Sequence, residues 1–307
     1  MDVSADLTAR LAEGLRLTDD DIASLQATHD IISLGMLADE ARRRRHGRRT
    51  TFVRVAVVAV EGSLPASLGA AGEVQIAGAP SGLRAAVERV GEVSSWARGV
   101  PVSGFSLADL EQLSTSEGVP LRSALEELRA AGLELVADAP IDVLRDSRRS
   151  IEEVNIAGLT LARLTVHRLP SADAPALFKR VAELQRAVGV IRAFAPLPRT
   201  LNPSVPTTGY DDVKRVAFAR LMVDNIASIQ VDWSRYGPKL AQVALTVGAD
   251  DVDAVSPEDE TGAGRRRAPL EEIRRNIAAA SQEPIERNGR FEPIGGPAQV
   301  GRDVRTG

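Results

Sequence analysis

The sequence predicts an α/β fold, a closed or nearly closed (β/α) TIM-like barrel with an N-terminal helical extension. Three observations carry this reading. Runs of β-branched residues alternate with helix-patterned stretches along most of the chain, the arrangement of parallel strands joined by crossover helices. Seven such strands can be placed, with a weaker eighth at "GADDVDAV" (248–255). The 307 residues suffice for a barrel of roughly 250 residues plus a flanking element. An open, doubly wound sheet is the second architecture that fits the same alternation.

Taken in order, residues 5–47 have apolar positions at three- and four-residue spacing and an Asp-rich start before "DIASLQ", so they predict helices. "TTFVRVAVVAV" (50–60) is nearly continuous and β-branched, as a strand buried on both faces must be. "EVQIAGAP" (73–80) and "VPVSGFS" (100–106) are the next strands, with "SGLRAAVERVGEVSSWARG" as the helix between them. "LELVAD" (133–138), "LTLARLTVH" (159–167), "GVIRAFAPL" (189–197) and "ASIQVDW" (227–233) continue the series. One interval departs from the pattern. "EGSLPASLGAAG" (61–72) is too short and too rich in Gly, Ser and Pro for a packed crossover helix, so helical cover should be thin or missing there. The expected division is a helical extension over 1–50, a barrel with C-terminal helices over 51–292, and a Gly-rich flexible tail over 293–307.

Composition narrows the function classes. Hydrophobic residues make up 44% and aromatic residues 3%, so the core must be built from Val, Leu, Ile and Ala. Against 42 Asp and Glu stand 38 Lys and Arg, a net charge of −4 that gives no general field for nucleic acid. The run "ARRRRHGRR" (41–49) is read as a helix end, where cations favour the dipole and Gly47 stops the helix. No apolar run is long enough to span a bilayer, and a cytoplasmic location is expected. There is no cysteine, which removes disulfides and thiolate metal sites. The three histidines lack metal-ligand spacing, so no metal site is expected.

Strand parity supplies the candidate ligand residues. Alternation along 159–167 puts Arg163, Thr165 and His167 on one face, and the same rule groups Ser228, Gln230 and Asp232. In a barrel the apolar face meets the helices, so these polar side chains point inward, toward the mouth where such folds bind ligands. Ile229, Val231 and Trp233 should then meet helices. Gln75 and Arg192 join His167, Gln230 and Asp232 as pocket candidates by the same rule. No catalytic residue is fixed by spacing alone.

From residue 209 onward, "GYDDVKRVAFARLMVDNIASIQVDWSRYGPKLAQVALTVGADDVD" and "RRAPLEEIRRNIAAASQEPIERNGRFEPI" closely resemble the C-terminal third of aminodeoxyfutalosine synthases. "LGMLADEARRRRHGRRTTFVR" is similar to that family's N-terminal helix and lead-in strand, and the resemblance is weakest in the middle of the chain. These are radical S-adenosylmethionine enzymes of the futalosine route to menaquinone. The resemblance implies the radical S-adenosylmethionine type of barrel, here shortened.

The departures change the expected function. In the family, the first strand leads into a Cys-x3-Cys-x2-Cys loop that holds a [4Fe–4S] cluster. After the fourth strand, a Gly-Gly-Gly-Ala-Glu stretch supports S-adenosylmethionine. Here the first strand runs into "VEGSLPASLGAAGEV", and "VADAPID" follows the fourth. The expectation is a degenerate, non-catalytic relative without cluster or S-adenosylmethionine. It would serve menaquinone biosynthesis as a module for a nucleoside-like small molecule, or as partner to an intact radical homologue or another enzyme of that route. Two alternatives stand beside it. One is cluster-free catalysis with His167 as acid/base and Asp232 as its partner. The other is aminodeoxyfutalosine synthase, a transferase, by descent.

Overall fold

The computed structural model describes residues 17–168, 174–200, 208–259 and 267–295. The expected helices before residue 17 and the expected tail beyond 295 lie outside the described residues. Two helices, α1 (Asp19–Ala27) and α2 (Ile31–His46), lead into β1 (Arg49–Ala59). Thr18 caps α1 reciprocally with Asp21, and Gly47 ends α2 at φ 60°. Then follow β2 (Glu73–Ala77), α3 (Leu83–Ala97), β3 (Val102–Ser106), α4 (Leu107–Glu117), α5 (Leu121–Ala130), β4 (Leu135–Pro140) and α6 (Ser147–Ile156). The second half holds β5 (Thr160–Leu161), β6 (Leu164–Val166), α7 (Ala174–Val188), β7 (Ala193–Pro198), α8 (Gly209–Met222), β8 (Ser228–Asp232) and α9 (Trp233–Leu245). It closes with β9 (Asp251–Val255), α10 (Pro269–Ala279) and β10 (Glu283–Glu286).

All strand pairings in the sheet are parallel, and β1 pairs with β9, so the barrel is closed rather than open. Because β5 and β6 are two pieces of one strand, eight positions make the circle. The sequence reads 159–167 as a single strand, and the structure interrupts it at Ala162 and Arg163. The ladder survives the break: Ala162 N–H donates to Val136 O and Ala139 N–H to Arg163 O, at 2.9 and 3.1 Å.

No helix covers the β1–β2 interval, as its composition predicts. Leu64 and Leu68 of that segment pack on the core in the helix's place. Ala70 N–H donates to Pro257 O, and Gly69, at φ 57°, passes so close that a Cβ would stand 2.6 Å from that oxygen. Only glycine fits there.

The basic run is more structural than a solvated helix end. Arg42, 2% exposed, donates to Asp39 and to Gly47 O, and Arg45 reaches Ile226 O at 2.6 Å. Arg43 and Arg44 pair with Asp39 and Glu40 one turn back. Among the described residues, no helix is long and apolar enough to cross a membrane.

The C-terminal segment holds an element that periodicity does not announce. β10 pairs with the first residues of β1, on the edge that β2 occupies further along. The chain then turns Arg287 into the N-terminal end of the barrel. Its Nε and Nη2 donate to both oxygens of Asp251, each at 2.7 Å, and the ring of Phe291 covers the guanidinium at 3.9 Å. Both partners are buried. Replacing Arg287 with Ala leaves Asp251 buried without its counter-charge, and should destabilise the fold by about 3–5 kcal/mol. Urea unfolding of the two proteins measures this. A loss below about 1 kcal/mol would mean that solvent enters the barrel floor.

Candidate functional site

The inward face of the barrel is built in layers. At the floor, Asp251 takes Arg287, the Nε2 of Gln230 at 2.7 Å, and the hydroxyl of Thr51. Burial raises the Asp251 carboxyl, but the charge and hydrogen bonds of Arg287, with those of Gln230 and Thr51, hold it below the usual carboxylate range. Above the floor, Arg163 crosses the lumen, pairing with Asp253 on β9 and with Glu73 on β2 at 3.4 Å. Ser103 also donates to Glu73. Burial pushes the Asp253 carboxyl up to about 6; Arg163 opposes this, while Glu73 and Asp232 add to it.

The third layer is the mouth. Arg199, one residue past β7, reaches Asp232 at 3.3 Å and Asp138 at 3.8 Å. Asp232 ends β8 and caps α9: its Oδ1 accepts from Arg235 N–H and from Ser234 Oγ, both at 2.9 Å. Arg235 also donates to Arg199 O at 2.6 Å. Tyr236 donates to Pro198 O, and burial raises its phenol. His167 sits just past β6, half-buried, its backbone N–H held by Asp142 at 2.7 Å and its ring 3.4 Å from Thr200 Oγ1. Asp109, in the first turn of α4, is pushed up by burial and by the Asp138 carboxylate, while His167 pulls it down.

The structure thus brings His167 and Asp232 to one mouth without pairing them. Asp232 spends its oxygens on the α9 cap and Arg199, so the acid/base pair expected from sequence is not formed. Asp109, whose carboxyl His167 pulls down, is presented by the sequence only as an acidic residue at a helix start. Arg199 was also missed, since it stands beyond the strand's alternating run. Gln230 is buried in the floor layer beneath the mouth and bonded to Asp251, with its Oε1 unpartnered among the described residues. Gln75 lies opposite Val57 on the β1–β2 ladder, on the inward face that Glu73 also occupies. Arg192 is a correction. It precedes β7, is exposed, and donates to Arg290 O at 2.9 Å, at the opposite end of the barrel from the mouth. The parity rule fails there because the strand begins only at Ala193.

The mouth is lopsided. On the β1 side, Val57 shares the inward parity of Thr51 yet is 56% exposed, and Ala59 beside it is exposed too. The charged groups stand across from them, on β4, β7 and β8.

With this geometry in place, the similarities can be located on it. Residues 197–300 match the CofH/MqnC C-terminal region. That stretch holds Arg199, Asp232, Arg235, Asp251, Asp253 and Arg287, which means most of the layered site. The chain is 27% identical over 230 residues to the aminodeoxyfutalosine synthase of Thermus thermophilus, covering 64% of this chain and 61% of that protein. It is 25% identical over 302 residues to the 5-amino-6-(D-ribitylamino)uracil–L-tyrosine 4-hydroxyphenyl transferase of Methanoculleus marisnigri, covering 78% and 82%. It is 23% identical to the cyclic dehypoxanthine futalosine synthase of Streptomyces coelicolor, spanning 55% of that chain. These matches support the radical S-adenosylmethionine CofH/MqnC family. Among solved structures, methylornithine synthase (PylB) is similar at TM-score 0.64 and 12% identity, covering 90% of this chain and 96% of that one. The hydrogenase maturase HydG follows at 0.61 and 13%, covering 91% and 74%. Identities this low speak for the fold alone.

The family resemblance calls for an iron–sulfur cluster at the end of β1. Between β1 and β2, residues 60–72 offer one carboxylate, Glu61, with no thiol and no imidazole. Among the described residues, no group of three or more His, Cys, Asp or Glu side chains could hold a metal ion. The residues present do not fit the cluster.

Two outcomes follow. Asp232→Ala removes the α9 cap and a partner of Arg199, so it should cost about 2–3 kcal/mol of stability rather than ligand binding alone. Ile229→Ala, on the helix-facing side, should cost about 2–5 kcal/mol, so denaturation should find both variants destabilised. The second concerns pH. Asp253 has a folded pKa near 6 against about 3.9 unfolded. The folded state therefore holds the proton longer, and its stability falls as pH rises between about 4 and about 6. Asp253→Asn lacks this slope. Relative to the wild type its stability should rise across that window, by no more than about 3 kcal/mol, in urea titrations at several pH values.

Proposed function

We propose that this chain is a ligand-binding relative of the CofH/MqnC enzymes that does not perform a radical S-adenosylmethionine reaction. The observation that supports it most directly is the β1–β2 connection, which bridges the two strands in residues 60–72 without a cysteine. A cluster-dependent reductant has no thiolates to anchor it there, and none exist elsewhere in the chain. What remains is a mouth lined by the carboxylates of Asp109, Asp138 and Asp232, the Arg199 guanidinium and the His167 imidazole.

That set suits a polyhydroxylated ligand. Carboxylates accept from hydroxyls, a guanidinium donates to ring or carbonyl oxygens, and the open Val57–Ala59 side accommodates an apolar or aromatic ring face. The names of two relatives point the same way: one carries a ribityl-uracil, and another a futalosine. A nucleoside or ribityl-pyrimidine, bound and not converted, is the ligand class. In such a role the chain would serve the futalosine route beside a cysteine-bearing homologue, as holder or partner.

The test has two arms. After anaerobic reconstitution with iron and sulfide, the protein should bind no stoichiometric iron and release no 5′-deoxyadenosine from S-adenosylmethionine under a strong reductant. Turnover above a cluster-free control would overturn the reading. In calorimetry, adenosine and related nucleosides should bind weakly, and Asp138→Asn should lose about 1–3 kcal/mol of that binding.

A further inference from the structure

The mouth is short of positive charge. On the β3–β4 ladder Ser106 stands opposite Asp138, and Asp109 follows Ser106 by about one turn of α4. No side chain caps that helix start, so Asp109 is not drawn into a capping box. Among the described residues it forms neither a hydrogen bond nor an ion pair. Asp138 has one cation, the Nε of Arg199 at 3.8 Å, and that guanidinium is already committed to Asp232 at 3.3 Å. Arg235 stands at the rim, 3.8 Å from Asp232 and 43% exposed. Asp142 is answered separately, by the N–H groups of His167 and Arg168 at 2.7 and 2.8 Å.

The shortage continues below the rim, where Arg163 serves both Asp253 and Glu73. Asp253 is fully buried beside that guanidinium, yet neither of its oxygens receives an aligned donor, and the Oε1 of Gln230 lacks one too. From rim to lumen, Asp109, Asp138, Asp232, Glu73 and Asp253 therefore share three arginines, Arg163, Arg199 and Arg235. Burial and the Asp138 charge raise the Asp109 carboxyl, the response of an acid without a counter-ion, although His167 pulls it down. The lumen acids are sealed from solvent, but the two at the rim are not. Asp109 is half-buried and the Asp138 side chain is 20% exposed, so a ligand group can touch both.

We propose that the ligand of the mouth carries a protonated primary amine, which binds between Asp109 and Asp138. This rests on the mouth being the ligand site, and it narrows the ligand class to a polyhydroxylated amine. The ammonium donates an N–H to each carboxylate and supplies the charge that the arginines do not. Its hydroxyls then lie toward Asp232 and Arg199. A phosphate in the same place meets two acids and no free cation, so phosphorylated forms are rejected.

Calorimetry and ligand-observed NMR on the full chain at neutral pH test it. The probes are 1-amino-1-deoxy-D-ribitol, ribitol as its neutral counterpart, ribitol 5-phosphate as the anion, and adenosine as the check on the mouth itself. The amine is expected to bind saturably, about 10-fold or more tighter than ribitol, the difference between a charge-assisted and a neutral hydrogen bond. Ribitol 5-phosphate should bind no better than ribitol. Asp109→Asn keeps the side chain's shape and removes its charge. It should weaken the amine by about 10-fold and leave adenosine within about twofold. Three results would overturn the inference while adenosine binding keeps the mouth as a ligand site: equal binding of amine and ribitol, an amine preference that survives Asp109→Asn, or a preference for the phosphate. Binding of none of the four probes would overturn both. The comparison of amine with polyol uses the native chain alone, so it stands even if Asp109→Asn fails to fold.

Discussion

Arg163 reaching across the lumen to Asp253 and Glu73 is the contact on which the barrel's interior is organised. Its partners lie on β9 and β2, the strands that flank β1, so one side chain ties the second half of the barrel to the seam where the circle closes. The need for it follows from composition. With aromatics at 3% of the chain, and with Ala137, Ala193 and Ala195 on the inward face, there is little apolar bulk to fill a lumen. Long arginine side chains fill it instead, and each must then be answered by a carboxylate, because an unpaired buried charge costs far more than a paired one returns. Asp253 shows the cost of that arrangement: too many acids share too few cations at its depth, and its proton is held more tightly than in water.

Strand parity made much of this visible and also marks where the sequence stops being legible. The β-branched runs fixed the strands, and alternation placed Arg163, Asp232 and His167 on the inner side. Three things escaped. The break at Ala162 and Arg163 leaves no trace in hydropathy, since a strand that bends to aim one side chain keeps its apolar neighbours. "EPIERNGRF" falls in the stretch expected to hold C-terminal helices, and its strand exists only because β1 offers an edge more than two hundred residues earlier in the chain. Arg192 was misplaced because parity holds only inside a strand, and the start of that strand is set by tertiary pairing, not by its letters.

The mouth was half legible for a related reason. Alternation tells which side of a strand a residue faces, but not what its atoms are spent on. Asp232 faces the mouth as expected, and the helix that starts one residue later takes most of its hydrogen-bonding capacity. Asp109 and Arg199 sit outside any alternating run, on a helix start and a strand end, where polar residues are ordinary. Their roles come from neighbours contributed by other strands, which a single sequence does not order in space.

The pairing of β1 with β10 also bears on when the barrel can form during synthesis. Part of the β1 edge is completed only by Glu283–Glu286, far later in the chain, and the counter-charge for Asp251 arrives only with Arg287. A ribosome-bound chain therefore exposes an unpaired strand edge and an uncompensated acid until residues 283–287 have emerged. Contacts of such long sequence separation make closure slow and late. The nascent intermediate is the stage most open to aggregation, and to chaperone capture.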